Sequence, residues 1–390
     1  MKIIVVGAGP AGLYAAVLLK LADSRHEITV HEREAEGTVR GWGVTFWDDL
    51  MAAMHSHDPE SAATVMAATA RWDGLEVQVE GQKPVVNADF WGHSIARSTL
   101  IGVLARRARE LGATLTYESK VDVDEVAADA DLVVCADGAN SRFRKKHAAE
   151  LGTEVDLGRN RFAWLATPQP FPAFRFAFTT VAAGLLCCYA YAYGAEASTF
   201  VVEMPPATFE GLGLTDLSAD EAMLVLQDAF AWQLEGQPLL VQPDAGGSTP
   251  WRQFPTVRNR TWHCGNVALL GDAVHTAHYS IGFGTKLALE DAIALASAVG
   301  ADSDVPAALR RYQASRSRDV TRTQRDAAYS QRWFEHADRY LGLPIDDFAA
   351  LLDRRRSPLV AHIPPALLVS GRRLAKRTGV ASRVRALLGR

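Results

Sequence analysis

Cysteine is scarce in this 390-residue sequence: four are present, Cys135, Cys187, Cys188 and Cys264, none at a metal-ligand spacing and two of them adjacent. A disulfide framework is therefore not expected, and a reducing cytoplasm suits the composition best. Neither sign of charge prevails, with 41 Lys and Arg against 45 Asp and Glu and a formal net charge of −4, which argues against bulk nucleic-acid binding. Long apolar runs are missing too. The longest, around residues 181–193 and 363–369, are too short or too interrupted to cross a bilayer core of ~30 Å, so no membrane association is expected. The opening Met-Lys-Ile-Ile-Val-Val-Gly lacks the basic, apolar and small-residue segments of an export signal. What is there, 48% hydrophobic and 22% charged residues, suits one large α/β body or two closely joined domains.

The chain begins with a short apolar run, Lys2–Val6, then a glycine turn and residues 10–21, where Leu13, Ala16, Val17 and Leu21 recur at helical spacing. Glu27–His31 reads as a second strand, so the start is a right-handed βαβ unit. Residues 60–75 and 98–112 look helical, and 131–136 read as a brief buried strand ending in Asp137-Gly138. From about 160 to 205 the pattern turns aromatic and β-branched, as in 174–180 and 199–203, which predicts antiparallel strands and a separate subdomain. A strand at 267–270 leads through Gly271-Asp272 into a helical stretch over 285–299, and residues 305–340 carry Arg, Gln, Ala and Asp at helical spacing. From Arg354 onward the chain is basic and has no acidic residue.

Three motifs carry chemistry. Gly7-Ala8-Gly9-Pro10-Ala11-Gly12 lies between strand and helix, with Glu32 twenty residues after Gly12. Gly7 permits the tight turn, Gly9 lets backbone approach a pyrophosphate at the helix N-terminus, Gly12 allows close helix–strand packing, and Glu32 would accept from an adenosine ribose. With strand, helix and acid at these intervals the motif predicts a dinucleotide site, FAD or NAD. The second is Asp137-Gly138-Ala139-Asn140-Ser141-Arg142-Phe143-Arg144, which by itself could be an Asp-Gly turn with a helix N-cap at Ser141. The third is Gly271-Asp272-Ala273-Val274-His275, followed by Gly282-Phe283-Gly284-Thr285 and a helix.

Taken in order, these motifs resemble those of the class A, single-component FAD-dependent aromatic monooxygenases. The stretches Gly41-Trp42-Gly43-Val44, 199–203 and 275–291 are most similar to salicylyl-CoA 5-hydroxylase and the monooxygenase half of anthraniloyl-CoA monooxygenase, and a violacein-pathway hydroxylase has a similar glycine-tryptophan-glycine loop. The likeness runs over residues 1–345; beyond Arg356 nothing is recognised. Where para-hydroxybenzoate hydroxylase-like enzymes place proline beside the flavin, this chain has His278, a feature shared with the aryl-CoA group.

The resemblance implies an α/β fold: a Rossmann-like FAD-binding domain of the para-hydroxybenzoate hydroxylase type, an antiparallel-sheet substrate domain and C-terminal helices. Residues 1–75, 97–160 and 259–320 are assigned to the first, 76–96 and 161–258 to the second, and 321–390 to the helical region. It implies that NADH or NADPH transiently reduces FAD, that O₂ adds at C4a, and that the resulting hydroperoxide hydroxylates a ring activated by OH or NH₂. Gly7, Gly9, Pro10, Ala11, Gly12, Glu32, Arg33, Gly43, Arg97, Asp137, Gly138, Gly271, Asp272, Gly282, Gly284 and Thr285 are the expected FAD contacts. Within these, Arg97 is expected at the diphosphate and Asp272 at the ribityl hydroxyls, with the helix after Gly284 pointing its positive end at the flavin. Trp42, Val44, Phe176, Tyr191 and Phe283 are expected to touch substrate. His278 and Tyr279 are the catalytic candidates, His278 foremost because histidine exchanges protons near neutral pH, while His275 is expected to support the Gly-Asp turn. Alternation along the middle strands leaves open which of Phe174, Phe176, Tyr189, Tyr191 and Tyr193 face a pocket, and Glu203 is equally open.

No metal is needed for this chemistry. The expected partners are O₂ and a small aromatic substrate, CoA-linked, carrier-linked or free, with the chain acting as monomer or homodimer. The basic tail could hold CoA phosphates or be a solvated helix face. Two other readings stand beside this one. A hydroxylase of a free indole or other natural-product intermediate fits the same motifs, and so does a flavoprotein that shuttles reduced cofactor without oxygenating; a halogenase is disfavoured by the lack of a Trp-x-Trp-x-Ile-Pro segment.

Overall fold

The chain opens with a parallel βαβ unit. Lys2–Val6 pairs in parallel with Glu27–His31, and the helix Pro10–Ala22 crosses between them. This computed structural model describes residues 1–242, 250–302 and 304–370; the tail beyond 370, and with it most of the basic run, lies outside the described residues.

A six-stranded sheet runs in the order His263–Cys264, Val267–Leu269, Leu132–Cys135, Lys2–Val6, Glu27–His31, Thr114–Thr116. All neighbours are parallel except the outer hairpin of His263–Cys264 with Val267–Leu269. Leu132–Cys135 and Val267–Leu269 are fully buried and wholly apolar, as strands covered on both faces must be. Helices Pro10–Ala22 and Gly284–Ala301 pack together on the sheet, so the ends of the first and third motifs come to the same region.

The second sheet has seven strands in the order Gly43–Phe46, Val85–Ala96, Ala70–Val79, Phe174–Val181, Gly184–Gly194, Ala197–Met204, Arg161–Thr167. It is antiparallel but for one parallel pair, Phe174–Val181 on Ala70–Val79. The two faces settle the alternation. Leu75, Val77, Phe176, Phe178, Cys187, Tyr189 and Val201 face the C-terminal helices through Trp333, Phe334 and Phe348. Ala177, Leu186, Cys188, Ala190, Phe200 and Val202 face the helix Ala219–Ala229 through Ala222, Met223 and Leu226.

Three expectations need correction. The helix expected over 60–75 ends at Ala67, and the strand Ala70–Val79 begins before the boundary placed at 75. Gly43–Phe46, assigned with the first domain, is an edge strand of the second sheet, held there by pairing to residues 93–96. The boundaries at 258 and 320 fall inside the strand Pro255–Asn259, which pairs with Thr153–Leu157, and the helix Val305–Glu335. The helix Asp48–His57 is not among the expected elements, although Asp48 and Asp49 in its first turn and the buried Leu50, Met51 and Met54 at helical spacing carry its signal.

Candidate functional site

Gly7 has φ +105°, and a Cβ there would lie 2.4 Å from the carbonyl oxygen of Ala136, so only glycine fits. A Cβ on Gly12 would lie 2.1 Å from the Gly7 carbonyl oxygen, whereas Gly9 and Gly138 face open space. The helix starting at Pro10 has no side-chain cap, which leaves its first N–H groups for a ligand. Before this turn lies a cavity of about 700 Å³ lined by Gly7, Gly9, Glu32, Arg33, Arg97 and Gly138 among others. Glu32 accepts from the N–H of Ala8 at 2.8 Å and of Glu34 at 3.0 Å, so it also braces the glycine turn. Arg33 is exposed and 3.3 Å from Glu34.

The second motif is a structural joint as well. Ser141 caps the helix Arg142–Lys146, Asp137 accepts from the N–H of Arg142 at 3.0 Å, and Arg144, almost fully buried, donates to the carbonyl oxygens of Ala139 and, at 2.9 Å, Ala273. Arg144 thereby fastens the second motif to the third.

In the third motif Gly271 has φ +59° and its N–H reaches Asp291, which is wholly buried between His275 (Nε2 at 2.7 Å) and Arg316 (Nε at 2.9 Å). Burial alone would raise the Asp291 carboxyl, but His275 and Arg316 outweigh it and hold the group below the usual carboxylate range. His275 therefore supports the turn, in line with expectation. Asp272 keeps an exposed side chain although protein crowds round it. That enclosure pushes its carboxyl up, against the pull of Arg97. Arg97 opens the helix Arg97–Glu110, donates its N–H to Trp42, and is itself lowered by enclosure, with Asp272 opposing. Neither side chain has an ion-pair or hydrogen-bond partner among the described residues.

FAD is a fit for this arrangement. Two partnerless opposite charges, two uncapped helix N-termini at Pro10 and Gly284, and glycines whose missing Cβ leaves room for a ligand are what a dinucleotide with a polar ribityl chain would use. Thr285 sits half-buried in the first turn of the second helix.

The loop between the Gly-Asp turn and that helix is tightly held. Gly282 has φ +72°, and a Cβ would come within 2.7 Å of the Trp47 ring, which packs edge-on to Phe283. His278 is buried, and burial pushes its imidazole down to about 3, so it is neutral at physiological pH. Such burial argues against proton exchange by His278 near neutrality. Its Nδ1 takes the Ser280 hydroxyl at 2.8 Å and, more loosely, the Ser280 N–H, leaving Nε2 as its remaining polar atom. Ser280 Oγ is 2.7 Å from Ser330 Oγ, and Arg355 donates to Ser330 Oγ and to the Ser280 carbonyl oxygen, each at 3.1 Å.

Tyr279 donates to Glu203 at 2.8 Å, and so do Tyr189 at 2.6 Å and Asn160 at 2.8 Å. Glu203 is wholly buried with no cation bonded to it among the described residues, and burial raises its carboxyl against these three donors. Tyr279 is thus tied to the second sheet, which its sequence position could not reveal. Of the expected substrate contacts, Phe176 is buried among Phe174, Tyr189 and Phe334, and Tyr191 donates to the Gly43 carbonyl oxygen; both are packed in the sheet interior. Val44 is likewise buried, and Trp42 donates to the Trp164 carbonyl oxygen. Gly43 is required by Tyr193, whose ring a Cβ would meet at 2.5 Å. At the outer edge His147, Glu150 and Cys264 gather, but Cys264 donates to Glu150 and His147 bonds to Asp124, so their polar atoms are already engaged. Among the described residues no helix is long and apolar enough to cross a membrane.

Comparison with known proteins agrees with the geometry. A family model described as FAD binding domain matches residues 88–327, more than half the chain, and one described as lycopene cyclase protein matches residues 2–150. The chain is 36% identical over 350 residues to salicyloyl-CoA 5-hydroxylase of Streptomyces sp, covering 87% of this chain and 66% of that protein's length. It is 36% identical to 3-hydroxy-4-methyl-anthranilyl-[aryl-carrier protein] 5-monooxygenase of Streptosporangium sibiricum over 86% of this chain and 89% of the relative. The fold matches tetrameric 2-methyl-3-hydroxypyridine-5-carboxylic acid oxygenase with a TM-score of 0.67 at 18% identity, over 94% of this chain and 97% of the other. By its motifs, the family model and these relatives, the chain belongs to the class A FAD-dependent aromatic monooxygenases.

Proposed function

We propose that the chain hydroxylates a benzoyl ring carried as a CoA or carrier-protein thioester, para to an OH or NH₂ group that sits ortho to the acyl carbon, with NADH or NADPH as reductant. The support lies in the pair of relatives. Salicyloyl and anthranilyl rings carry an OH or NH₂ at position 2, both enzymes act at position 5, and position 5 is para to that donor. An electron-donating group directs an electrophilic oxygen to its para carbon.

When bound, FAD supplies the two electrons from the nicotinamide and the activated oxygen. The protein's share is binding, orientation and exclusion of water. Arg97 and the uncapped N-terminus at Pro10 would hold the diphosphate, and Asp272 the ribityl hydroxyls. The Gly284 N-terminus would face developing negative charge on the reduced ring system. Neutral His278 offers a hydrogen bond and no acid, and Glu203 fixes Tyr279 at the sheet. The observation that carries the FAD site is the pair Arg97 and Asp272, opposite charges with no ion-pair or hydrogen-bond partner among the described residues, in front of two glycine turns.

The test is a substrate panel with purified FAD-loaded protein: 2-hydroxybenzoyl-CoA, 2-aminobenzoyl-CoA, the free acids and indole-3-carboxylate, each with NADH and with NADPH. The thioesters should accelerate flavin reduction and yield a 5-hydroxylated product. Turnover of indoles alone would move the assignment to free natural-product intermediates. Reductant oxidation without any oxygenated product would make it a reduced-cofactor shuttle.

A further inference from the structure

Arg355 lies in the basic run after the helix Ile345–Asp353, far in sequence from every motif, yet its guanidinium is enclosed by protein. It stands over the Phe176 ring at 5.0 Å and donates to the carbonyl oxygen of Leu352 at 3.0 Å, to the carbonyl oxygen of Ser280 and to Ser330 Oγ. Ser330 is fully buried and Ser280 nearly so.

A guanidinium has only donors, so no hydroxyl hydrogen can be satisfied by pointing at it. Ser330 Oγ must accept from Arg355 Nε; its second lone pair could still take the Ser280 hydrogen, but its own hydrogen would then have no acceptor among the described residues, so it points at Ser280 Oγ, 2.7 Å away. The Ser280 hydrogen then points at His278 Nδ1, 2.8 Å away, so Nδ1 is an acceptor and the imidazole proton resides on Nε2. The Ser280 N–H, 3.4 Å from the same nitrogen, reinforces that assignment. Without the arginine the Ser330 hydrogen could turn away from Ser280 into the space the guanidinium fills, the hydroxyl chain could run backwards, and only the long Ser280 N–H contact would still oppose a proton on Nδ1.

We propose that Arg355 is a positioning residue: through Ser330 and Ser280 it locks His278 as a neutral ring that presents an N–H, never a lone pair, at Nε2. Such a donor stabilises a phenolate oxygen, the form in which an OH substituent pushes most charge into the ring; an NH₂ group would have to face it without giving up the lone pair it shares with the ring. Burial lowers the Arg355 guanidinium to about 10, which still leaves it charged at neutral pH. Tyr189, Arg356 and Asp353 are the other titratable groups whose charge it feels. The lock itself follows from hydrogen-bond directions; its value to hydroxylation rests on the reading that the 278–283 loop borders the ring to be oxidised.

The experiment separates those two claims. In the full-length holoenzyme, ¹⁵N-histidine NMR reads the tautomer of His278 directly, with His278→Asn supplying the assignment. The wild type should show an unprotonated Nδ1 and a protonated Nε2 from pH 6 to 8. Arg355→Met should give a mixture of tautomers, and Ser330→Ala, which removes one buried oxygen and leaves the arginine in place, should do the same. Because all three residues act in one line, the double variant should be no worse than Arg355→Met. A tautomer unchanged in both single variants would overturn the lock. A tautomer that becomes mixed while kcat and KM for hydroxylation stay unchanged would keep the lock and overturn the role of His278 in turnover. With both intact, kcat should fall by about tenfold, the worth of one misdirected buried hydrogen bond, and KM should change far less.

Discussion

Replacing Asp291 by Asn should weaken the fold at the very turn that presents Asp272. In the wild type the carboxylate is wholly buried and is held by His275, Arg316 and the N–H of Gly271. Removing one partner of a buried ion pair costs about 3–5 kcal/mol, because the other charge is left without compensation. Arg316 keeps Glu290 at 3.0 Å, so the lower end, about 3 kcal/mol, applies here. With an unfolding entropy of roughly 2.1 cal/mol/K per residue, the 390-residue chain has ~0.8 kcal/mol/K, and Tm should fall by about 4 °C. The pH dependence gives a second handle. The Asp291 carboxyl is depressed in the folded state, so its contribution is present above its unfolded value near 3.8 and is lost only as pH falls through the lower folded value. The gap between wild type and variant should therefore be constant from pH 5 to 8 and close only in stronger acid. Differential scanning fluorimetry on apo and FAD-loaded protein measures both. An apoprotein Tm within about 1 °C of wild type would refute the claim that this pair holds the turn.

Other outcomes follow from the same geometry. Glu203→Gln should show the opposite pH trend, since burial raises that carboxyl: its contribution is present below the unfolded value near 4.5 and lost as pH rises through the folded value, so the variant gains on wild type in urea titrations at higher pH. Arg97→Ala should leave apoprotein Tm unchanged or raised, because the cation has no partner among the described residues, while FAD affinity measured by fluorescence quenching falls by about 1.5–3 kcal/mol, roughly 10–150-fold. Since His278 stays neutral down to about pH 3, the pH profile of kcat should have no limb between 5 and 8 that disappears in His278→Asn. A limb lost in that variant would show that the imidazole titrates after all.

The parts of this molecule written in local pattern could be read before folding. Lys2–Val6 ends at a glycine turn after an unbroken apolar run, as a buried parallel strand needs, while Glu27–His31, nearer the sheet edge, shows in its buried Ile28 and Val30 the alternation of a strand covered on one face. The glycine positions were legible for the same reason: a positive φ or a close backbone approach admits no other residue. The second sheet was legible as strands but not as faces. Phe176 and Tyr189 share a face only because the strands pair with Phe176 opposite Tyr189, a register that arises from tertiary packing. The network at Glu203 joins residues 160, 189, 203 and 279, and the Arg355 chain joins 278, 280, 330 and 355; no spacing rule links positions so far apart. The helix overrun past Ala67 has the same origin, since the segment from Ala70 is drawn into pairing with Val85–Ala96.

The order of strands in the six-stranded sheet also governs how the chain is made. Leu132–Cys135 has one side against Lys2–Val6, and its other side is covered by Val267–Leu269, which leaves the ribosome more than a hundred residues later. Until then an apolar strand has an open edge, the kind of surface chaperones bind and neighbouring nascent chains can join. Folding of the nucleotide-binding half is therefore a late event in synthesis, and arrest of translation between residues 140 and 260 should leave an aggregation-prone product and no independently folded fragment.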